Sequence, residues 1–355
     1  MAYFMLKISS FTRKHYTYIL VFFFFLIVGW VYYAMITAHN RNIKVSCGEF
    51  LKDLELTLTP FTIIVGAAQT RKAAFLKSLY FAVALHVHRQ PNYVFTTLFP
   101  GLQGVRLSVK INDYYIEFYE EKVKMEGEPP WRYAVYVMPD HSTIIRMMLE
   151  AAEFVEEFKQ QHDAITMLGG LASVLATLAE RYGRYTFLSR LALCACDVFI
   201  QAGLNEMCRS WKQALNNVFF GLGARALTTI TGLSLADTTL SDYDIYKKFV
   251  EAILTKSRNN TVILVENISY YVKLKNIQDL IRSRIARGEN VAVVASITFP
   301  PGIAKSLESG EISRSRFIDS FQAVFEVDLD PSISSLYLFK RWRGEGRIVA
   351  ERLFP

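Results

Sequence analysis

The spacing of apolar residues changes period several times along this chain, and each change marks an element. Phe61 to Val65 is a short apolar run rich in β-branched residues that stops at Gly66, and from Ala73 onward Phe75, Leu76, Leu79, Phe81, Val83 and Leu85 recur at helical spacing. This predicts strand, loop and helix across residues 60–85. Upstream, Leu54, Leu56 and Leu58 alternate with polar residues and predict a strand that leads in through Pro60. Strand-like segments follow at 93–99, 105–111, 114–120 and 133–138, with Asn112-Asp113 as a hairpin turn and 127–130 as a loop. The period then becomes helical over 141–181, with Ile144, Ile145, Met148 and Leu149 on one face, Glu150, Glu153 and Glu157 on the other, and a break at Gly169-Gly170. Residues 185–193 form another apolar run, 197–220 read helical, and 243–254 carry Ile245, Phe249, Val250 and Ile253 on one helical face. Two buried-type strands, 261–265 and 291–295, flank a helix over 274–287, which is the βαβ unit of a parallel sheet. Segments 335–340 and 347–353 flank Gly344-Glu345-Gly346 as a terminal hairpin.

Ahead of all this stands a different kind of segment. Residues 1–16 form a tail with Lys7, Arg13 and Lys14, and residues 17–38 carry no charge. At about 1.5 Å per residue the uncharged stretch is long enough to cross a hydrocarbon core of roughly 30 Å. Tyr16, Tyr18, Trp30, Tyr32 and Tyr33 near its ends are the rings expected at a membrane interface. A signal peptide would have an apolar region of about 7 to 15 residues ending in small residues, and Ile36-Thr37-Ala38 is a poor cleavage site. The expectation is a single transmembrane helix at 17–38, a linker at 39–46 and one domain over 47–355 with a helical insert at about 141–222.

Composition narrows the chemistry. With 355 residues, 52% hydrophobic and 14% aromatic, the chain is not disordered and is long enough to bury a core. A net charge of +7 suits an anionic partner, either nucleic acid or a membrane surface. The densest basic cluster, Lys340, Arg341, Arg343, Arg347 and Arg352, reads either as a headgroup- or phosphate-binding patch or as an edge strand protected by charge. The four cysteines lack zinc-ligand spacing. Cys194 and Cys196 would share one face of a strand as small buried thiols. There is no H-E-x-x-H and no G-x-S-x-G, so metalloprotease and serine-hydrolase readings have no support.

The loop after the first apolar strand carries the main candidate chemistry. A phosphate-binding loop, G-x-x-x-x-G-K-[ST], needs a strand before it and a helix after it, because loop N–H groups and the helix N-terminus together hold the phosphates. Gly66-Ala67-Ala68-Gln69-Thr70-Arg71-Lys72-Ala73 has that register. Gly66 takes the first glycine position and Lys72 the lysine position, but Arg71 replaces the second glycine and Ala73 the hydroxyl that would hold magnesium. Gly66, Thr70, Arg71 and Lys72 are the candidate cofactor-binding residues. The bland alternative is a strand-to-helix turn with Lys72 as a surface lysine of the helix's first turn.

With these parts in order, residues 47–299 resemble the ABC-type ATPase domains of the RecF and SMC kind, including small AAA-like archaeal and bacterial members of that lineage. The resemblance rests on the opening strands through Val65-Gly66, the helix from Phe75 to Tyr80, the strand from Thr261 to Glu266, which looks like Walker B, and the strand from Val291 to Thr298. It implies a P-loop NTPase-like α/β fold with an antiparallel β subdomain and a helical insert. It also implies ATP as cofactor and a globular domain on the cytoplasmic side of the membrane. The family's demanding positions are altered here. Val265 stands where an aspartate would orient magnesium, Ala295-Ser296-Ile297-Thr298 ends a strand without the catalytic histidine, and the signature loop near 235–241 lacks its glycine. Glu266 matches the glutamate that would polarise the attacking water, and it reads otherwise as a strand-end carboxylate paired with a neighbouring base.

Phosphoryl transfer depends on positioning and on metal-assisted charge stabilisation, and losing one such contact costs on the order of a hundred-fold in rate. The expectation is therefore a membrane-anchored, degenerate ATPase that scaffolds or regulates a protein partner, with ATP binding retained, if at all, without the usual magnesium coordination and with no metal site. Two rival expectations stand beside it. Lys72 or Glu266 would contribute to a composite site with an active ATPase paralogue, or the basic C-terminal hairpin would tether DNA or anionic lipid.

Overall fold

A computed structural model of the chain describes residues 39–49, 51–88, 90–102, 104–161, 186–268, 272–342 and 347–355. The transmembrane helix expected at 17–38 lies outside the described residues. Among the described residues no helix is long and apolar enough to cross a membrane.

Residues 41–354 fold around two sheets. The first is antiparallel, with the order β2-β1-β4-β5-β6, and comprises β1 (Arg41–Cys47), β2 (Leu51–Leu58), β4 (Leu107–Ile111), β5 (Tyr114–Tyr119) and β6 (Lys122–Glu126). The segment expected as a linker is thus largely strand. Ile43, Val45 and Cys47 point inward while Asn42 and Lys44 stay exposed, so its period of two matches a half-buried sheet.

The second sheet has the order β11-β10-β3-β9-β8-β7. Its strands are β3 (Phe61–Gly66), β7 (Tyr133–Val137), β8 (Thr261–Val265), β9 (Val291–Thr298), β10 (Ser334–Arg341) and β11 (Ile348–Phe354). All neighbours from β10 to β7 are parallel, and β11 pairs antiparallel with β10. Strands buried on both faces read as continuous apolar runs, which is why 61–66 and 261–265 show no alternation.

Helix α1 (Lys72–Ala84) lies between the two sheets. Phe75 packs edge-on against Phe339 of β10, Phe81 against Phe118 of β5, and Tyr80 beside Tyr136 of β7, with ring centroids 5.6, 5.3 and 5.8 Å apart. A helix enclosed on most sides is apolar most of the way round, as α1 is. The segment expected as a strand at 93–99 is instead helix α2 (Pro91–Leu98). Pro91 sits at the helix start, where its missing N–H costs nothing, and Val94, Phe95 and Leu98 share a buried face.

The helical lobe contains α3 (His141–Gln161), α4 (Thr186–Gln201), α5 (Trp211–Phe219), α6 (Leu222–Thr231) and α7 (Asp242–Lys256), which pack on one another. Cys194 and Cys196 lie on α4, not on a strand. Two positions apart on a helix is roughly 200° of rotation, so the two sulfurs face different neighbours. Cys194 is a free buried thiol, whereas Cys196 is disulfide-bonded to Cys208, across a Cα separation of 5.4 Å. Helix α8 (Leu274–Ala286) completes the βαβ unit, and α9 (Pro301–Ser309) and α10 (Arg314–Val324) lead to the terminal hairpin.

Candidate functional site

Strand β3 delivers the loop to the centre of the parallel sheet, between β9 and β10. Gly66 is required there by close approach. A Cβ at this position, with φ at +154°, would come within 2.5 Å of the Phe339 carbonyl oxygen and 2.8 Å of Thr70 Oγ1. Residues Ala68–Thr70 make a 3-10 turn, and Arg71 closes it in the left-handed region with φ 58° and ψ 24°. The arginine therefore holds the conformation that glycine adopts without cost, against a penalty of about 1 kcal/mol.

Lys72 is not a surface lysine. It is only 4% exposed, and its ammonium donates to the carbonyl oxygens of Gly66 at 2.8 Å and Ala67 at 2.7 Å, with Thr70 Oγ1 at 3.4 Å. Thr70 is buried as well and donates its hydroxyl to Ala67 O at 2.7 Å. Burial pulls the Lys72 ammonium down to about 8, with the Glu266 carboxylate acting in the opposite direction. The loop thus closes around its own lysine.

The acid end of the site is built from three strands. Glu266 follows β8 directly, its N–H donates to Val137 O, and Tyr136 of β7 donates its hydroxyl to Glu266 Oε2 at 2.6 Å. Its closest hydrogen-bond partner is therefore a phenol, not the basic side chain foreseen in the bland reading. Lys77 on α1 is held below its usual range by burial, with Glu266 and Asp140 pulling it back up and Arg190 pushing it down. Asp140 and Arg190 pair at 2.8 Å. On the β9 side, Thr298 is in register with Gly66, its hydroxyl donates to Asn267 Oδ1 at 2.7 Å, and Ser296 Oγ accepts the Asn267 N–H at 3.1 Å. Hydroxyl and amide groups stand where the resemblance implied a histidine.

Behind this corner lies a buried acid. Asp197 of α4 accepts the Tyr136 N–H at 3.0 Å and the Tyr80 hydroxyl at 2.7 Å. Strand β7 is an edge of its sheet, so this carboxylate satisfies a backbone donor that lacks a partner strand. Burial raises the Asp197 carboxyl to about 8, with both hydrogen bonds opposing that rise.

A magnesium ion does not fit the residues present. Ala73 offers no oxygen, Val265 is a fully buried hydrocarbon, and the Thr70 hydroxyl is committed to its own loop. The segment matched to the signature loop is a 3-10 turn, Leu235–Thr239, capped by Ser234 and Asp237. Arg146 donates to the carbonyls of Thr238 and Leu240, and Ser241 serves as the N-cap of α7. In the terminal hairpin, Glu351 pairs with both Lys340 and Arg314, and the Arg352 guanidinium lies over the Tyr337 ring. Arg343 lies outside the described residues.

The structure brings Gly66, Thr70 and Lys72 together in one loop and sets Glu266 close enough to Lys72 to influence its ionisation. Sequence reasoning missed Tyr136, Thr298, Asn267 and Lys77, which share no motif and converge only through strand order. The loop thus leaves β3 at the centre of a parallel sheet, with β9 beside it and the acid-ending β8 one position further out, which is the α/β layout that the sequence resemblance implied.

No family model and no curated protein matches the chain. Among solved structures it is similar to the recombination mediator RecF of the RecFOR pathway, at 12% identity and TM-score 0.35 over 88% of this chain and 97% of that one. It is also similar to an SMC head bound to the C-winged helix domain of ScpA, at 10% identity and TM-score 0.39 over 88% and 97%. An ATP-binding cassette of an ABC transporter in its ADP conformation matches at 10% identity and TM-score 0.30 over 88% and 90%. With TM-scores this low, the superpositions add no argument to the strand order.

Proposed function

We propose that this chain is a non-hydrolysing member of the ABC/SMC-type ATPase fold, held at a membrane through residues 17–38, where it scaffolds or regulates a protein partner. The observation that carries the reading is the pairing of an intact loop backbone with a metal corner made of hydrocarbon. Gly66 and Arg71 keep the turn, while Ala73 and Val265 offer magnesium nothing and Glu266 is engaged by Tyr136. Withdrawal of the Lys72 ammonium onto the Gly66 and Ala67 carbonyls supports it further, since a bound phosphate would have to draw that charge out of a closed shell of oxygens.

The direct test is turnover of ATP by the purified full chain with magnesium. The expected rate is indistinguishable from that of Lys72→Ala and of buffer. A magnesium-dependent rate that Lys72→Ala abolishes would overturn the proposal.

A further inference from the structure

The Cys196–Cys208 disulfide stands between two cavities of different character. On its inner side is a void of about 10 Å³, lined by both cysteines together with His88, Tyr93, Leu193 and Trp211. A space of that size holds one water at most and admits no thiol. On its outer side a cleft of about 290 Å³ opens between the end of α1, the approach to β7 and the 3-10 turn Asn205–Cys208. Cys208 lines both spaces, and Cys196 lines only the inner one.

A thiolate exchanges with a disulfide by attacking one sulfur from the side away from the other. Cys208, with its partner inward and the cleft on its other side, meets that demand. Cys196, facing only the void, does not. The cleft also selects among thiols. Its size suits a small molecule and not the working face of a protein reductase. Of its two lining arginines, Arg209 pairs with Glu206, whereas Arg132 is exposed, lies 5.6 Å from the centroid of the Tyr133 ring and has no ion pair among the described residues. Arg132 is therefore the group that would meet a carboxylate on the entering thiol.

We infer that Cys208 is a thiol-exchange site for a small acidic thiol of the glutathione class, with Arg132 as its carboxylate contact. The incoming thiolate bonds to Cys208 Sγ, the Cys196–Cys208 bond breaks, and its electron pair leaves on Cys196 Sγ, which takes a proton from solvent. Reversal expels the small thiol and restores the bond. One disulfide is exchanged for another, so no further oxidant or reductant is consumed. Cys47 and Cys194 take no part: both are buried, and burial pushes the Cys47 thiol up to about 11. The exchange reaches beyond the turn, because Cys196 directly precedes Asp197, whose carboxylate accepts the Tyr136 N–H behind the acid corner. The site stands or falls independently of whether the chain hydrolyses ATP.

The experiment takes the full chain in detergent, oxidised in air, and incubates it with millimolar reduced glutathione at about pH 8, where a small thiol is partly ionised. The reaction is quenched with N-ethylmaleimide and mapped by peptide mass spectrometry. Glutathione on Cys208 and maleimide on Cys196 are expected, with Cys47 and Cys194 unmodified until the chain is denatured. Arg132→Gln should slow exchange with glutathione about two- to fivefold, the worth of an exposed charge pair, and leave exchange with uncharged mercaptoethanol unchanged. Arg132→Lys should restore most of the rate. Arg132 is exposed, so the fold tolerates both changes. Glutathione on Cys196, or a bond that exchanges only in denaturant, overturns the proposal. So do free Cys196 and Cys208 thiols in the air-oxidised chain, and so does an Arg132→Gln variant that affects the two thiols alike.

Discussion

The two corners of the candidate site are held in different ways. The loop corner, from Gly66 to Lys72, is fixed by backbone: a glycine pressed against the Phe339 carbonyl, a left-handed Arg71, and a lysine satisfied by loop oxygens. The acid corner is fixed by side chains from distant elements, with Tyr136 on Glu266 and Asp197 of the helical lobe beneath Tyr136. A backbone-determined feature survives the exchange of most side chains. A side-chain-determined one survives only as long as its particular partners do, and here those partners are Tyr136 for Glu266 and Asp197 for Tyr136.

That contrast can be attacked from both sides. The largest effect is expected at Gly66. Gly66→Ala drives a methyl into backbone oxygen that has no room to move, and chemical denaturation should show a loss of about 2 to 4 kcal/mol. A loss below about 1 kcal/mol would mean that the loop corner is not set by this contact.

Next comes Asp197. Asp197→Ala leaves the Tyr136 N–H unpaired in a closed core and the Tyr80 hydroxyl with only His88 Nε2, at 3.5 Å, and should cost about 2 to 3 kcal/mol. The same residue sets a pH dependence. Its carboxyl titrates at about 8 in the folded chain and near 3.9 unfolded, so the folded state holds the extra proton between those values. Stability is then greatest below about pH 4 as far as this group is concerned, and falls as pH rises toward about 8. Melting curves from pH 5 to 8 should show that fall, and Asp197→Asn should flatten it; an equal slope in the variant would remove Asp197 as its source.

The smallest effect is expected for Tyr136→Phe, which keeps the ring and deletes the bond to Glu266. A cost of about 1 kcal/mol is expected, because Glu266 is only half-buried and water replaces the phenol. A cost above about 3 kcal/mol would place the acid corner in the rigid class with the loop.

The sequence made some of this plain and left some of it invisible. Strand, loop and helix around Gly66, and the βαβ unit from Thr261 to Val291, are local patterns with strong periodicity and appear where expected. The helix at Pro91 was obscured by Tyr93, Val94 and Phe95, residues that favour strands, although Pro91 itself is a helix-start signal. Strand β1 was overshadowed by the apolar stretch before it, and β6, Lys-Val-Lys-Met-Glu on an exposed edge, has too little apolar content to announce itself. The burial of Lys72 has no sequence signature, since it depends on how the loop carbonyls turn. The pairing of Tyr136 with Glu266 spans 130 positions and follows only from β7 lying beside β8. The same is true of Cys196 and Cys208, which come together because one helix ends and a turn brings the chain back.

Strand β3 carries one more consequence. Its two neighbours, β9 and β10, come after the whole helical lobe in chain order, and Thr62 meets Ser335 across 273 positions. While the ribosome is still synthesising the helical lobe, the loop strand has neither flank, and the carbonyl that shapes Gly66 has not yet been translated. Pairings of such separation form slowly and leave apolar edges uncovered in the meantime. A chain that stops before β10 would therefore lack the carbonyl that shapes the loop, and one edge of β3 would stay uncovered until β10 is made.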